Sequence, residues 1–100
     1  MTLPAPHLVT LLTLNLQRIF QKLISKTEKS YGLYLVGSEI AAGNWRSSGN
    51  SDDCYWSITD NKGEIIDNHF GMAGGTMYIP SNAFQVELDK ECGTWEYLGN

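Results

Sequence analysis

Residues able to do chemistry are few in this chain and stand far apart. Cys54 and Cys92 are 38 positions apart, which fits neither the close pairs that ligate zinc nor a redox pair two residues apart. A single disulfide is the economical reading, with two buried free thiols as the alternative. Closing a loop of that length would stabilise a fold by about 4 kcal/mol in the chain-entropy picture. His7 lies beside two prolines and His69 near the end of a strand-like run, and neither has a neighbour that suggests a nucleophile. Asp52 and Asp53, or Asp60 with Asn61 and Glu64, offer oxygen ligands for a hard cation. They lack the alternating ligands, glycine and distant glutamate of a calcium loop, so they read as solvated loop residues. The run Gly71-Met72-Ala73-Gly74-Gly75 has neither the fingerprint spacing nor the following helix of a phosphate loop. An exposed indole can stack on a sugar, but in a domain this small Trp45, Trp56 and Trp95 are expected in the core. No catalytic residue, cofactor or metal site is expected, and the chain reads as a non-enzyme.

The elements that must position these residues divide the chain in two. One hundred residues make one domain with a thin stability margin, which favours a staple or a partner. The net charge of -4 hides a split: Arg18, Lys22, Lys26 and Lys29 against Glu28 give +3 up to residue 30, whereas three basic against ten acidic residues give -7 beyond it. So acidic a second segment repels a phosphate backbone, and the cations of the first are too few for a nucleic-acid footprint, so no nucleic-acid partner is expected.

Pro4 and Pro6 make residues 1 to 7 an extended arm. From Leu8 the period becomes helical: Leu8, Val9, Leu12, Leu16, Ile19, Phe20 and Leu23 share one stripe of about 120°, with Gln17, Arg18, Gln21, Lys22 and Ser25 outside it. An amphipathic helix is expected from residue 8 to 30, its stripe docked on the body. Lys22, Lys26 and Lys29 gather near its C-terminal end, where cations complement the helix dipole, and Tyr31-Gly32 closes it. Leu11 and Leu14 lie on another side beside Arg18, either as isolated exposed leucines or as a second face for a partner. Pro4, Pro6, Leu11, Leu14 and Arg18 are the expected partner-binding residues.

After Ser30 the chain turns to short runs of Val, Ile, Tyr, Trp and Thr punctuated by Gly, Asn, Ser and Asp, which is a β pattern. Strands are expected near residues 32–36, 44–47, 55–60, 64–68, 76–80, 83–88 and 94–98, and Asp60-Asn61-Lys62-Gly63 reads as a hairpin turn. The expected fold is α+β: a helix followed, over residues 31 to 100, by a small antiparallel β domain with one disulfide.

The stretch from Tyr34 to Gly49, Val36-Gly37-Ser38-Glu39-Ile40-Ala41-Ala42-Gly43-Asn44-Trp45-Arg46-Ser47 in its middle, then Cys54-Tyr55-Trp56 and finally Cys92-Gly93-Thr94-Trp95, resembles a small β domain of bacterial secreted and lipid-anchored proteins. That family shows a Val-Gly-x-Asp-Ile-x-Pro-Gly-x-Tyr-Arg-Ser run, a Cys-Tyr-Trp and a closing Cys-Gly-Thr-Trp. The resemblance covers about two thirds of the chain. It implies a bond between Cys54 and Cys92, and it brings no catalytic role. Glu39 stands for the family's aspartate, Ala42 for its proline and Trp45 for its tyrosine.

A disulfide implies an oxidising destination, yet the apolar run Leu8 to Leu16 precedes the basic residues instead of following them, and is broken by Thr10, Thr13 and Asn15. This is not the order of a secretory signal, and no stretch is apolar enough to span a membrane. The reading that reconciles these points is a virion component: a decoration, or cement, protein that binds the major capsid protein of a phage, with self-association through the helix as a further expectation. The alternative is a secreted bacterial β domain that binds cell-envelope carbohydrate or protein.

Overall fold

The computed structural model describes residues 6–100, with side chains described from residue 16 onward. Helix α1 spans Pro6–Ser25, and seven strands follow: β1 Gly32–Leu35, β2 Gly43–Ser47, β3 Cys54–Thr59, β4 Ile65–Gly71, β5 Thr76–Ile79, β6 Gln85–Leu88 and β7 Trp95–Gly99. A single turn of 3-10 helix, Lys90–Cys92, leads into β7. The strands form two antiparallel sheets, one in the order β1-β6-β3-β4 and the other β5-β2-β7. The fold is therefore α+β, an N-terminal helix with antiparallel sheets and one disulfide.

Alternation along the strands builds the core. Side chains two residues apart share a face of a strand, and the buried set is Trp45 from β2, Met77 and Ile79 from β5, Trp95 from β7, Trp56 and Ile58 from β3, and Val86 and Leu88 from β6. Residues of both sheets thus meet in one cluster, joined by Ile40, Ala41 and Ala83 from the connections. Each large apolar side chain fully buried contributes roughly 1.5 to 3 kcal/mol, so the three indoles dominate a core this small. Among the described residues the Trp95 Nε1–H finds no hydrogen-bond acceptor.

Turn chemistry joins β3 to β4 as expected. Asp60 Oδ1 accepts from the Lys62 and Glu64 N–H groups at 2.9 and 3.0 Å, Gly63 takes a φ of 81°, and its N–H donates to the Asp60 carbonyl at 3.0 Å. A side chain with a β-carbon is strained at such a φ, and glycine is not.

Two expectations about the front of the chain need correction. The chain is already helical at Pro6, within the stretch expected to be an extended arm; proline is well tolerated in the first turn of a helix, where its missing N–H has no partner to lose. It also stops at Ser25 and not at residue 30. The Lys26 and Thr27 N–H groups turn back to the Leu23 and Ile24 carbonyls, and the Ile24 carbonyl also accepts from Thr27 Oγ1 at 2.7 Å and Lys29 Nζ at 2.7 Å. With the last carbonyls satisfied by side chains, the helix ends without a glycine cap. Pro4 lies outside the described residues.

Candidate functional site

The junction after α1 decides how the helix is presented. Lys29 abandons the helix and exchanges two backbone hydrogen bonds with Trp95 of β7, at 2.9 and 2.7 Å. Its side chain is buried, reaches back to the Ile24 carbonyl and to Thr27 Oγ1 at 3.1 Å, and passes 5.7 Å from the centre of the Tyr34 ring. Burial pushes the Lys29 ammonium below its ordinary range, and the charge of Glu39 partly opposes that shift. Ser25 is also buried, and its carbonyl accepts from the Ala41 N–H at 2.8 Å. Lys26 adds a contact 5.8 Å over the Tyr97 ring. One turn of chain is thus bound to both sheets' surroundings, which sets the direction in which α1 leaves the body.

For the described part of the stripe the expected docking is overturned; the side chains of Leu8, Val9 and Leu12 lie outside the described ones. Leu16, Ile19, Phe20 and Leu23 are 57 to 67% exposed, and with Gln17 they line an apolar depression of about 440 Å³ made by the helix alone. The polar side of the helix is exposed as well, and its Arg18, Gln21 and Lys22 line a cleft of about 300 Å³ together with Gly37 and Ser38 of the body. Arg18 is exposed at this cleft. The side chains of Pro6, Leu11 and Leu14, the other expected partner-binding residues, lie outside the described ones. The stripe was legible as a stripe; its exposure was not, because nothing in a helical period says whether the remaining chain has apolar surface to spare.

The reactive residue types are taken up by packing. Cys54 and Cys92 form a disulfide with 4.5 Å between their Cα atoms, and both are fully buried. The His69 ring stacks against Trp56, centroids 6.0 Å apart, and its Nε2 lies 3.0 Å from the Met72 carbonyl oxygen. Trp45, Trp56 and Trp95 are 0, 7 and 1% exposed, so no indole face is free to stack on a sugar. Gly74 donates its N–H to Ser47 Oγ at 2.6 Å, fastening the glycine-rich bend to β2. Among the described residues no three His, Cys, Asp or Glu side chains are grouped as metal ligands.

The fingerprint itself is a packing device. Gly49 N–H donates to the Cys92 carbonyl at 3.0 Å and Ser48 N–H to the Thr94 carbonyl at 2.8 Å, while Ser48 Oγ accepts from Thr94 N–H at 3.0 Å. A Cβ on Gly49 would stand 2.6 Å from the Cys92 carbonyl oxygen, and one on Gly93 would stand 2.8 Å from the Gly49 nitrogen. The Arg-Ser-Ser-Gly and Cys-Gly-Thr-Trp runs are thus two halves of one contact across the staple. Earlier in the motif, the Leu35 N–H donates to Glu39 Oε1 at 2.7 Å, the Gly37 N–H to the Ile40 carbonyl at 2.8 Å, and the Trp45 Nε1–H to the Ala41 carbonyl at 2.9 Å. Glu39 therefore holds its loop by a hydrogen bond through a carboxylate.

Comparison with curated proteins and with solved structures finds no match. A family model does match, that of the Rv1352-like extracellular domain, over residues 26–96. The match opens one residue after α1 ends, takes in Lys29, β1 to β6 and the disulfide, and stops within β7. An extracellular family agrees with the secreted β domain that the fingerprint resembles, and from residue 26 to residue 96 the chain belongs to the Rv1352-like extracellular domain family.

Proposed function

We propose that this chain works outside the cell as a non-enzymatic attachment domain: a disulfide-stapled β body that carries an exposed apolar helix to a partner at the cell envelope. The observation that carries this reading is the row Leu16, Ile19, Phe20 and Leu23, left in water on the side of α1 away from the body. An apolar row that none of the described residues covers marks an interaction surface. Membership in an extracellular family supports the secreted alternative over a virion location, and nothing in that membership favours a capsid partner. The non-enzymatic reading is supported by where the reactive groups sit: the cysteines in a bond, His69 on Trp56, and the fingerprint in backbone contacts. Burial of all three tryptophans argues against the sugar-stacking form of the secreted reading.

Cell fractionation tests it. The chain produced in a bacterium that exports it should appear with the envelope, and the double variant Leu16→Gln, Phe20→Gln should move to the free extracellular fraction with its melting temperature unchanged. An unchanged distribution of a folded double variant would overturn the attachment reading.

A further inference from the structure

Resting on that attachment reading, we infer that the surface met by α1 is an anionic lipid surface, in which the helix lies flat with its apolar row inserted and its body held outward. Three observations point to this occupant. The first is the shape of the exposed face: Leu16, Ile19, Phe20 and Leu23 form one apolar row, and the body lies on the opposite side, across the cleft lined by Arg18, Lys22, Gly37 and Ser38. A row that points away from its own domain can meet a plane without the domain colliding with it. The second is charge. From residue 1 to residue 27 there is no aspartate or glutamate, only Arg18, Lys22 and Lys26, whereas residues 28 to 100 hold eleven acidic against four basic residues. A cationic, amphipathic helix of low overall hydrophobicity seats itself at the headgroup level of a bilayer, anionic headgroups attract each nearby cation, and an acidic body is repelled outward. Arg18 and Lys22 are both exposed, and across a helix about 10 Å thick they remain within about a Debye length of the phosphates. The third is the junction: Lys29 and Ser25 tie the helix end to β7 and Ala41, so the orientation of the row is built into the protein.

The same observations disfavour a second copy as the occupant. Pairing through the row would draw together two bodies of -7 each, which repel one another. Nor is a membrane crossing implied, since among the described residues no helix is long and apolar enough for one.

The test uses the full-length, oxidised protein and sedimentation with vesicles of phosphatidylcholine alone or mixed with phosphatidylglycerol. Binding is expected to the mixed vesicles and to weaken at high salt. Leu16→Gln with Phe20→Gln should abolish it, and Arg18→Gln with Lys22→Gln should weaken it about tenfold or more. All four side chains are exposed, so these variants should keep the wild-type melt. Failure to sediment with phosphatidylglycerol vesicles overturns the lipid assignment, as does equal binding to both vesicle types or binding indifferent to Leu16 and Phe20. If the protein ignores vesicles but forms a dimer that the Leu16/Phe20 variant dissolves, the occupant is a second copy. If it ignores vesicles while the same variant still leaves the envelope in cells, the occupant is an envelope protein; in both cases attachment through α1 stands and the lipid does not.

Discussion

In the β body thirteen apolar residues are buried, while in α1 the apolar residues Leu16, Ile19, Phe20 and Leu23 all stay exposed. Both regions have a regular apolar pattern, and the difference lies in what faces each pattern. The inner face of β2, β5 and β7 meets the inner face of β3 and β6, so Trp45, Met77 and Trp95 find Trp56, Ile58 and Val86 in one cluster. Once the two sheets have filled each other, no inner face remains for the helix. Gly37 and Ser38 line a cleft with the polar side of α1, whose Arg18, Gln21 and Lys22 are exposed too. Amphipathicity therefore identifies a face that wants a partner, and the supply of complementary surface decides whether the partner is internal.

The strongest way to break this contrast is to attack the body's core. Trp95→Ala should destabilise the protein by about 3 to 5 kcal/mol, read as a shift of the urea midpoint. A near-wild-type midpoint would mean that Trp95 is not the core residue its burial makes it. Next comes the staple: replacing Cys54 and Cys92 together with serine should cost about 2 to 4 kcal/mol, measured under the same conditions without reductant. Alkylation of native, unreduced protein should find no free thiol, and two labelled cysteines would remove the staple from the account.

A smaller effect should appear at the junction, and it should depend on pH. Desolvation lowers the folded-state pKa of Lys29 below 10.5, with Glu39 opposing. Between the folded value and 10.5 the unfolded chain then binds more protons than the folded one, so this group's contribution to stability rises with pH across that window and is flat below it. Comparing wild type with Lys29→Met, the stability difference should shift in favour of wild type as pH climbs toward 10.5. A difference that stays constant, or moves the other way, would show that Lys29 is not desolvated at the helix end.

The smallest effect should be on the helix face itself. Leu16→Gln, like Phe20→Gln, should change the unfolding free energy by less than about 0.5 kcal/mol, the range of exposed positions, although the proposed attachment requires the same changes to release the protein. A large loss of stability would mean that the row is covered by the body, and the contrast between the two regions would vanish.

Much of the fold is legible in the sequence. All seven strands lie within three residues of their expected positions, because alternation of side chains is a local property and Gly, Asn and Asp mark the turns between runs. The helix was legible for the same reason. Its end was not: no glycine closes it, and Lys29 leaves the helical path for a pairing with Trp95, 66 residues further on. The burial of Lys29 and the loop bond from Leu35 to Glu39 carried no signal in composition or period either. The motif residues were recognisable as a set, yet their reason emerges only when Gly49 and Gly93 are seen in contact.

Taken alone, the order of residues determined the kinds of element, the split between a cationic helix and an acidic body, and two cysteines whose spacing suits a staple. These follow from local preferences and from charge, which need no knowledge of neighbours. Only the tertiary structure decided that the two sheets satisfy each other, that three tryptophans leave the surface, and that the helix stripe faces outward. Those outcomes depend on competition for a limited inner surface between residues distant in sequence. That competition was won by the strands, and the described apolar row of the helix was left exposed.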